Sequence, residues 1–247
     1  MSVNLCVDWG NSTIKAAIFN NDTIQKIFVF TEDEANKKIA SIIDLYHPEK
    51  GILCSVANHG TEFEFILKEH IKSFVVLDSH TRLPINNAYA TPETLGPDRI
   101  ALVVAAHVLN PTKNNLVISA GTCITYNMVN KNRTFRGGAI APGLNMRLKA
   151  MHEFTQKLPE VALKGDYPLL GYDTESCMKS GAFYGTVSEI DGMIREFESQ
   201  YPDFNAILTG GDAQILASKI KSKIFADPDI LLKGLNLILN YNVSLPR

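Results

Sequence analysis

Two short turns in this chain have the composition of a phosphate grip. Residues 5–19 run apolar strand, tight polar turn, apolar strand, with Asp8, Gly10, Asn11 and Ser12 at the turn and Lys15 on the way out. Residues 116–129 repeat the pattern with Ser119, Gly121 and Thr122. Glycine lets backbone approach a ligand with no Cβ in the way, and successive amide N–H groups in such a turn form an anion-binding concavity. Asp8 beside the loop suits Mg2+, which takes a few carboxylates plus phosphate oxygens. Lys15, alternating with Ile14 and Ala16, suits a point charge on phosphate. The first turn alone also suits a plain hairpin whose Asp and Asn satisfy local backbone. Its recurrence about one domain later points to two similar halves gripping one phosphate chain, the arrangement of an ATP-using phosphotransferase.

Four further constellations accompany the turns. Gly96-Pro97-Asp98-Arg99 opens an alanine-rich apolar segment. Asp98 there suits a helix cap, or a base for a substrate hydroxyl with Arg99 as a fork for carboxylate or phosphate. Arg136-Gly137-Gly138, followed by Pro142-Gly143, places two glycines inside an apolar run; that marks a bulge or the close approach of a backbone or ligand. Thr209-Gly210-Gly211-Asp212 follows a short apolar run and suits an adenosine lying on the backbone, a weak signal by itself. Ser180, Gly181, Gly185 and Gly192 recur along a long predicted helix; they allow close helix contact, within the subunit or across a dimer. Glu189 and Asp191 on that helix read as solvated charges.

The elements that must hold these residues follow from periodicity. Strands are predicted at 3–8, 14–19 and 25–30, then a helix over 32–46, a strand at 51–55, a helix over 60–70 and a strand at 74–77. A polar, proline-marked loop covers 79–97, and a helix covers 99–109. Asn110-Pro111 is a breaker pair, and 110–115 is the best boundary, dividing the chain into 1–112 and 113–247. The meander then restarts at 116–119, 124–129 and 134–140. Helices are predicted over 143–154, 174–199, 212–221 and 230–240, with a strand at 206–208. Each half is a three-strand meander followed by alternating helix and strand, an α/β fold with mixed sheets covered by helices.

The bulk composition bounds the rest. The 247 residues are 45% hydrophobic and 20% charged, with a net charge of −2, which suits a soluble chain with real cores and no general attraction to nucleic acid or membrane. No apolar run approaches a membrane span, and the N-terminus does not read as a signal peptide. The four cysteines, Cys6, Cys54, Cys123 and Cys177, and the six histidines lack metal-ligand spacing. The cysteines read as free thiols in a reducing cytoplasm.

Taken in order, Asp8-x-Gly10-Asn11-Ser12-x-x-Lys15, Gly96-x-Asp98-Arg99, Gly121-Thr122-x-x-Thr125, Gly137-Gly138-x-Ile140-x-Pro142-Gly143 and Thr209-Gly210-Gly211 resemble the type III pantothenate kinases, of the acetate and sugar kinase/Hsc70/actin superfamily. The resemblance implies duplicated actin-like (ribonuclease H-like) domains. It also implies ATP-dependent phosphorylation of the terminal hydroxyl of pantothenate, the first step toward coenzyme A, in a cytoplasmic homodimer with shared sites. By it, Asp98 is the catalytic base; Asp8, Trp9, Gly10, Asn11, Ser12, Thr13, Ile14, Lys15 and Thr122 bind ATP, with Asp8 toward Mg2+. Tyr89, Gly96, Pro97, Asp98, Arg99, Thr155 and Thr174 bind pantothenate, Thr174 from the neighbouring subunit. The resemblance further implies a monovalent cation, K+ or NH4+, at position 119, yet Ser119 stands where the family pattern has Asp, and Asn127 where Asp is common. Those departures keep a non-catalytic nucleotide-binding regulatory protein among the readings, beside another small-molecule kinase of the superfamily.

Overall fold

The computed structural model describes residues 2–57 and 60–244. Its elements run β1 (Val3–Trp9), β2 (Ile14–Asn20), β3 (Thr23–Phe30), α1 (Ala35–Tyr46), β4 (Lys50–Ser55), α2 (Thr61–His70), β5 (Ser73–Val76), β6 (Asn86–Asn87) and α3 (Pro97–Leu109). They continue with β7 (Asn114–Ala120), β8 (Cys123–Val129), β9 (Thr134–Pro142), α4 (Leu144–Glu153), α5 (Thr174–Gln200), β10 (Phe204–Thr209), α6 (Ala213–Ala217), β11 (Phe225–Ala226) and α7 (Ile230–Ser244). Two compact units result: Met1–Pro111 with Asn132–Arg136 and Asp229–Arg247, and Thr112–Lys131 with Gly137–Pro228. The single cut expected at 112/113 therefore differs from the structure, which returns two later segments to the first unit. The reason is burial. The apolar side of α7, including Leu232, Leu235, Ile238 and Leu239, is covered because the helix packs on β1, β4 and α3.

In the first unit the sheet order is β3-β2-β1-β4-β5. The β1–β2–β3 meander is antiparallel, and β4 and β5 run parallel to β1. Side chains alternate between faces along a strand, so Leu5, Val7 and Trp9 share one face with Ile14, Ala16 and Ile18. That face packs on Ile39, Ile42 and Ile43 of α1 and Phe63 and Leu67 of α2. Asn4, Cys6 and Asp8 take the opposite face, where α7 lies. There Asn4 Nδ2 donates to Asn236 Oδ1 (2.7 Å) and Asn240 Oδ1 (3.0 Å), and Asn236 Nδ2 donates to the Asn21 carbonyl (2.9 Å). This buried amide ladder sets the register of α7 on the sheet. Within the expected loop over 79–97, β6 pairs parallel with Thr134 and Phe135 of β9.

In the second unit β10, β7, β8 and β9 are successive neighbours, with β11 on the outer side of β10. The pair β7–β8 is antiparallel, and β10 runs parallel to β7. Leu116, Ile118, Ile124, Tyr126 and Met128 pack against Phe183, Val187, Ile190 and Ile194 of α5. α5 begins with a capping box: Asp173 accepts from Ser176 N–H (2.7 Å), and Ser176 Oγ accepts from Asp173 N–H (3.0 Å), satisfying donors that helix starts leave open. The helix expected over 212–221 stops at Ala217. Asp191 takes the N–H groups of Lys221 (3.1 Å) and Ser222 (2.8 Å), so this carboxylate, read from sequence as solvated, is a buried anchor that draws the chain out of the helix. Among the described residues no helix is long and apolar enough to cross a membrane.

Candidate active site

Strand register assembles the polar centre of the first unit. Asp8 lies opposite Lys15 on β2 and opposite Cys54 on β4, and residues in register share a face. Asp98, in the first turn of α3, is near enough for its charge to act on both Asp8 and Cys54. Asp8 is half-buried, in surroundings that exclude most water. Burial first, then Asp98, pushes its carboxyl up to about 7, while Lys15 draws it down. Burial also raises Asp98, against the backbone N–H of Arg99, the Arg99 charge and Asp98's own N–H. Burial, then Asp8 and Asp98, holds the Cys54 thiol far above its ordinary range, so it is an uncharged floor beneath the carboxylates. Two acids meet in this half-dry site, and burial keeps both raised although Lys15 draws on Asp8 and Arg99 on Asp98. That donor set fits a hard divalent cation.

The α3 start is built to present Asp98. Gly96 is the N-cap and Pro97 the first helical residue, a position where proline's missing N–H costs nothing. Asp98 is therefore not the cap that its type allowed. A Cβ on Gly96 would stand 2.5 Å from Asp98 Oδ1, so glycine is required for the carboxylate to lie back over the helix start. Beside it, Ser55, Val56, Ala57, Glu93, Thr94, Leu95, Gly96 and Pro97 line a cleft of about 490 Å3. Arg99 is 5% exposed, with its guanidinium over the rings of Tyr89 and Phe135. Phe135 was not among the sequence candidates, since a phenylalanine in a strand reads only as core.

The first turn is narrower than its motif. Asn11, Ser12 and Thr13 are exposed and Gly10 partly so. Trp9 and Ile14 are buried in the core, Trp9 edge-on to Phe63 at 4.7 Å. Those two leave only backbone to a ligand, because alternation turns their side chains to the opposite face from Asp8 and Lys15.

In the second unit Thr122 is exposed at the β7–β8 turn. The glycine motifs serve to pack backbone against this turn. A Cβ on Gly143 would meet the Gly121 carbonyl at 2.1 Å, and one on Gly210 would meet the Ala120 carbonyl at 2.2 Å, whereas Gly211 faces open space. Arg147 Nε donates to the Pro142 carbonyl (2.9 Å) and its guanidinium pairs with Glu189, which also accepts from Tyr126 Oη (2.9 Å). Glu189 is thus a brace for the Pro142-Gly143 corner rather than a solvated charge. Ser119 stands in register with Thr125 and Thr209, and Asn127 Nδ2 donates to Thr125 Oγ1 (2.9 Å). This row is neutral, so it does not fit a cation site that needs a carboxylate. Thr155, exposed beyond α4, donates to the Met151 carbonyl (2.7 Å). Thr174 is exposed as the first residue of α5.

A family model described as type III pantothenate kinase matches residues 4–196. The chain belongs to the type III pantothenate kinase family. A type III pantothenate kinase of Christiangramia forsetii is 43% identical over 241 residues, covering 97% of this chain and 99% of that one. Among solved structures, a conserved Baf-family protein of Campylobacter jejuni aligns with TM-score 0.61 at 24% identity, over 98% of this chain and 100% of its own. The activator of 2-hydroxyisocaproyl-CoA dehydratase from Clostridium difficile, with bound ADPNP, aligns with TM-score 0.54 at 10% identity, over 98% and 94%. At those identities the structural likeness speaks for fold alone: a duplicated actin-like α/β architecture.

Proposed function

We infer that this chain carries out the reaction its family is named for, ATP-dependent phosphorylation of pantothenate toward coenzyme A, with Asp98 as the base. The observation that carries the assignment is the coupling of Asp98 to Asp8 within the first unit. One carboxylate at a helix start and one beside a phosphate-type turn, near Lys15, divide naturally between acceptor hydroxyl and ATP. Asp98 accepts the proton of the terminal hydroxyl as its oxygen bonds to the γ-phosphorus and the bond to ADP breaks. Raised basicity from burial suits that task. The exposed backbone of residues 10–13 and Lys15 hold phosphate oxygens, since phosphoryl transfer asks mostly for positioning and charge neutralisation. Asp8 would hold Mg2+, which when bound neutralises charge on the β- and γ-phosphates. Gly96, Pro97 and Tyr89 shape the pantothenate site, and Arg99 pairs with its carboxylate.

The finer setting belongs to the same reading. The neutral row at Ser119 supports turnover that does not depend on K+ or NH4+. All four cysteines are free thiols, which accords with a reducing cytoplasm. Thr174 reaches pantothenate in the partner subunit of a homodimer. The direct test is ADP release from the purified chain with Mg-ATP and pantothenate, with and without K+ at matched ionic strength. Pantothenate-dependent turnover is expected in both salts. Asp98→Asn should lower it by about 10^2–10^4-fold while ATP binding by calorimetry persists. ATP binding without pantothenate-dependent turnover would instead make the chain a nucleotide-binding regulator.

A further inference from the structure

The contacts of Glu189 lead to the turn that the sequence marks for phosphate. Gly143 N–H donates to the Thr122 carbonyl (3.1 Å). A Cβ on Gly143 would stand 2.6 Å from that oxygen and closer still to the Gly121 carbonyl. The place of Gly143 therefore constrains both carbonyls of the turn. Arg147, one helical turn on, holds the corner at two points: its N–H donates to the Gly143 carbonyl (3.0 Å) and its Nε to the Pro142 carbonyl (2.9 Å). Its guanidinium pairs with Glu189 of α5. Glu189 also accepts from Oη of Tyr126 (2.9 Å), a buried residue on β8, the strand that leaves the turn. The contacts thus form a closed circuit: turn, corner, Arg147, Glu189, Tyr126 and back to the turn. All of these residues belong to the second unit.

A guanidinium presents several N–H donors in a rigid fork, so one side chain can bond a carboxylate and a backbone carbonyl together. An ion pair that keeps some exposure adds little to overall stability. Fixing a turn before its ligand arrives, however, lowers the cost of binding. Thr122 is exposed on that turn, and a threonine hydroxyl can donate to a phosphate oxygen. We propose that Arg147 and Glu189 are positioning residues for the Gly121-Thr122 turn, and that through it they set the affinity for ATP without taking part in the transfer. The inference rests on the reading of Thr122 as an ATP contact.

The test follows Arg147→Met, Glu189→Gln and the double variant in the full chain. It reads kcat, KM for ATP and for pantothenate, the calorimetric Kd for Mg-ATP, and the melting temperature. Arg147→Met loses both the ion pair and the Pro142 bond, so KM and Kd for ATP should rise about tenfold. Glu189→Gln keeps the Tyr126 bond and loses the charge, so its rise should be smaller. The double variant should be no worse than Arg147→Met, because residues acting as one unit are not additive. In all three, kcat at saturating ATP and KM for pantothenate should be nearly unchanged. A merely structural role would lower the melting temperature and the active fraction, hence kcat, and leave KM for ATP alone; that result would overturn the proposal, as would equal losses for both substrates. Thr122→Ala supplies the reference. If it leaves the Kd for Mg-ATP unchanged, the Thr122 reading falls and the role of Arg147 and Glu189 with it. If it weakens Mg-ATP binding while Arg147→Met and Glu189→Gln do not, the Thr122 reading stands and the positioning role is refuted.

Discussion

At the scale of single residues, Asp8 carries an electrostatic cost that function explains and stability should reveal. Its carboxyl is raised to about 7, chiefly by burial and then by Asp98, from an unfolded value of about 3.9. Between those values the folded chain binds the proton more tightly than the unfolded chain, so this group's contribution to stability falls as pH rises from about 4 to 7, and the penalty is full above that. Asp8→Asn removes the charge and should stabilise the metal-free chain at pH 8 by about 2 kcal/mol, less than full conversion of the shift because the residue is only half-buried. The gain should vanish near pH 4, and pantothenate-dependent turnover should be lost throughout. Urea unfolding of both proteins at the two pH values decides it: a stability difference that ignores pH would mean Asp8 titrates normally. Asp8, Asp98 and Arg99 stood out in the sequence because charged residues beside glycine, at the ends of apolar runs, need a reason to be there, and the structure half-buries or buries all three. The core position of the Trp9 and Ile14 side chains was hidden, since a contiguous motif masks the alternation that sends every second side chain inward. The neighbourhood of Phe135 and Arg99 was illegible, because a phenylalanine inside a strand reads only as core.

At the scale of elements, α7 matters through what it touches. A Cβ on Gly234 would stand 1.9 Å from the Ala101 carbonyl, so the α7 and α3 backbones are in direct contact. In an exposed helix, glycine to alanine gains about 1 kcal/mol. Here Gly234→Ala must push α3 away, and overpacking of this kind costs about 1–3 kcal/mol. Asp98 lies one turn before Ala101 on the same helix, so kcat should fall in the folded fraction, measured under conditions where circular dichroism reports complete folding. A stabilised, fully active Gly234→Ala protein would show that α7 does not set the position of α3. The periodicity of residues 230–240 was enough to read a helix, but not its partner, because any apolar face satisfies the same pattern. The short reach of α6 was hidden for a similar reason: Asp191, about twenty residues before it, captures the backbone that would have extended it. By contrast β1, β2, β7 and β8, and the start of α5 at Thr174, were readable, because turn glycines and the Asp173 cap act locally.

At the scale of the whole molecule, the surface around the start of α5 argues for a second copy of the chain. Phe154, Leu169, Leu170 and Tyr172 are between 72% and 88% exposed, far more apolar surface than an isolated chain gains by showing. Thr174 follows directly, and added Cβ atoms on Gly181 and Gly185 would meet nothing within 4 Å among the described residues, which leaves room for a close helix from outside. These features support the proposed homodimer, in which Thr174 would complete the partner's pantothenate site. If so, Asp98→Asn and Thr174→Ala lesions should complement. In a mixed dimer one site carries both lesions and the other carries neither, so an equal mixture after subunit exchange should regain about a quarter of the unmodified activity. Each variant alone should stay inactive or nearly so, and the regain should follow the rate at which subunits exchange, read by fluorescence transfer between labelled copies. Complete exchange with activity no higher than the mean of the two variants would mean that each chain builds its site from its own Thr174, or without it, and sharing across the dimer would be abandoned.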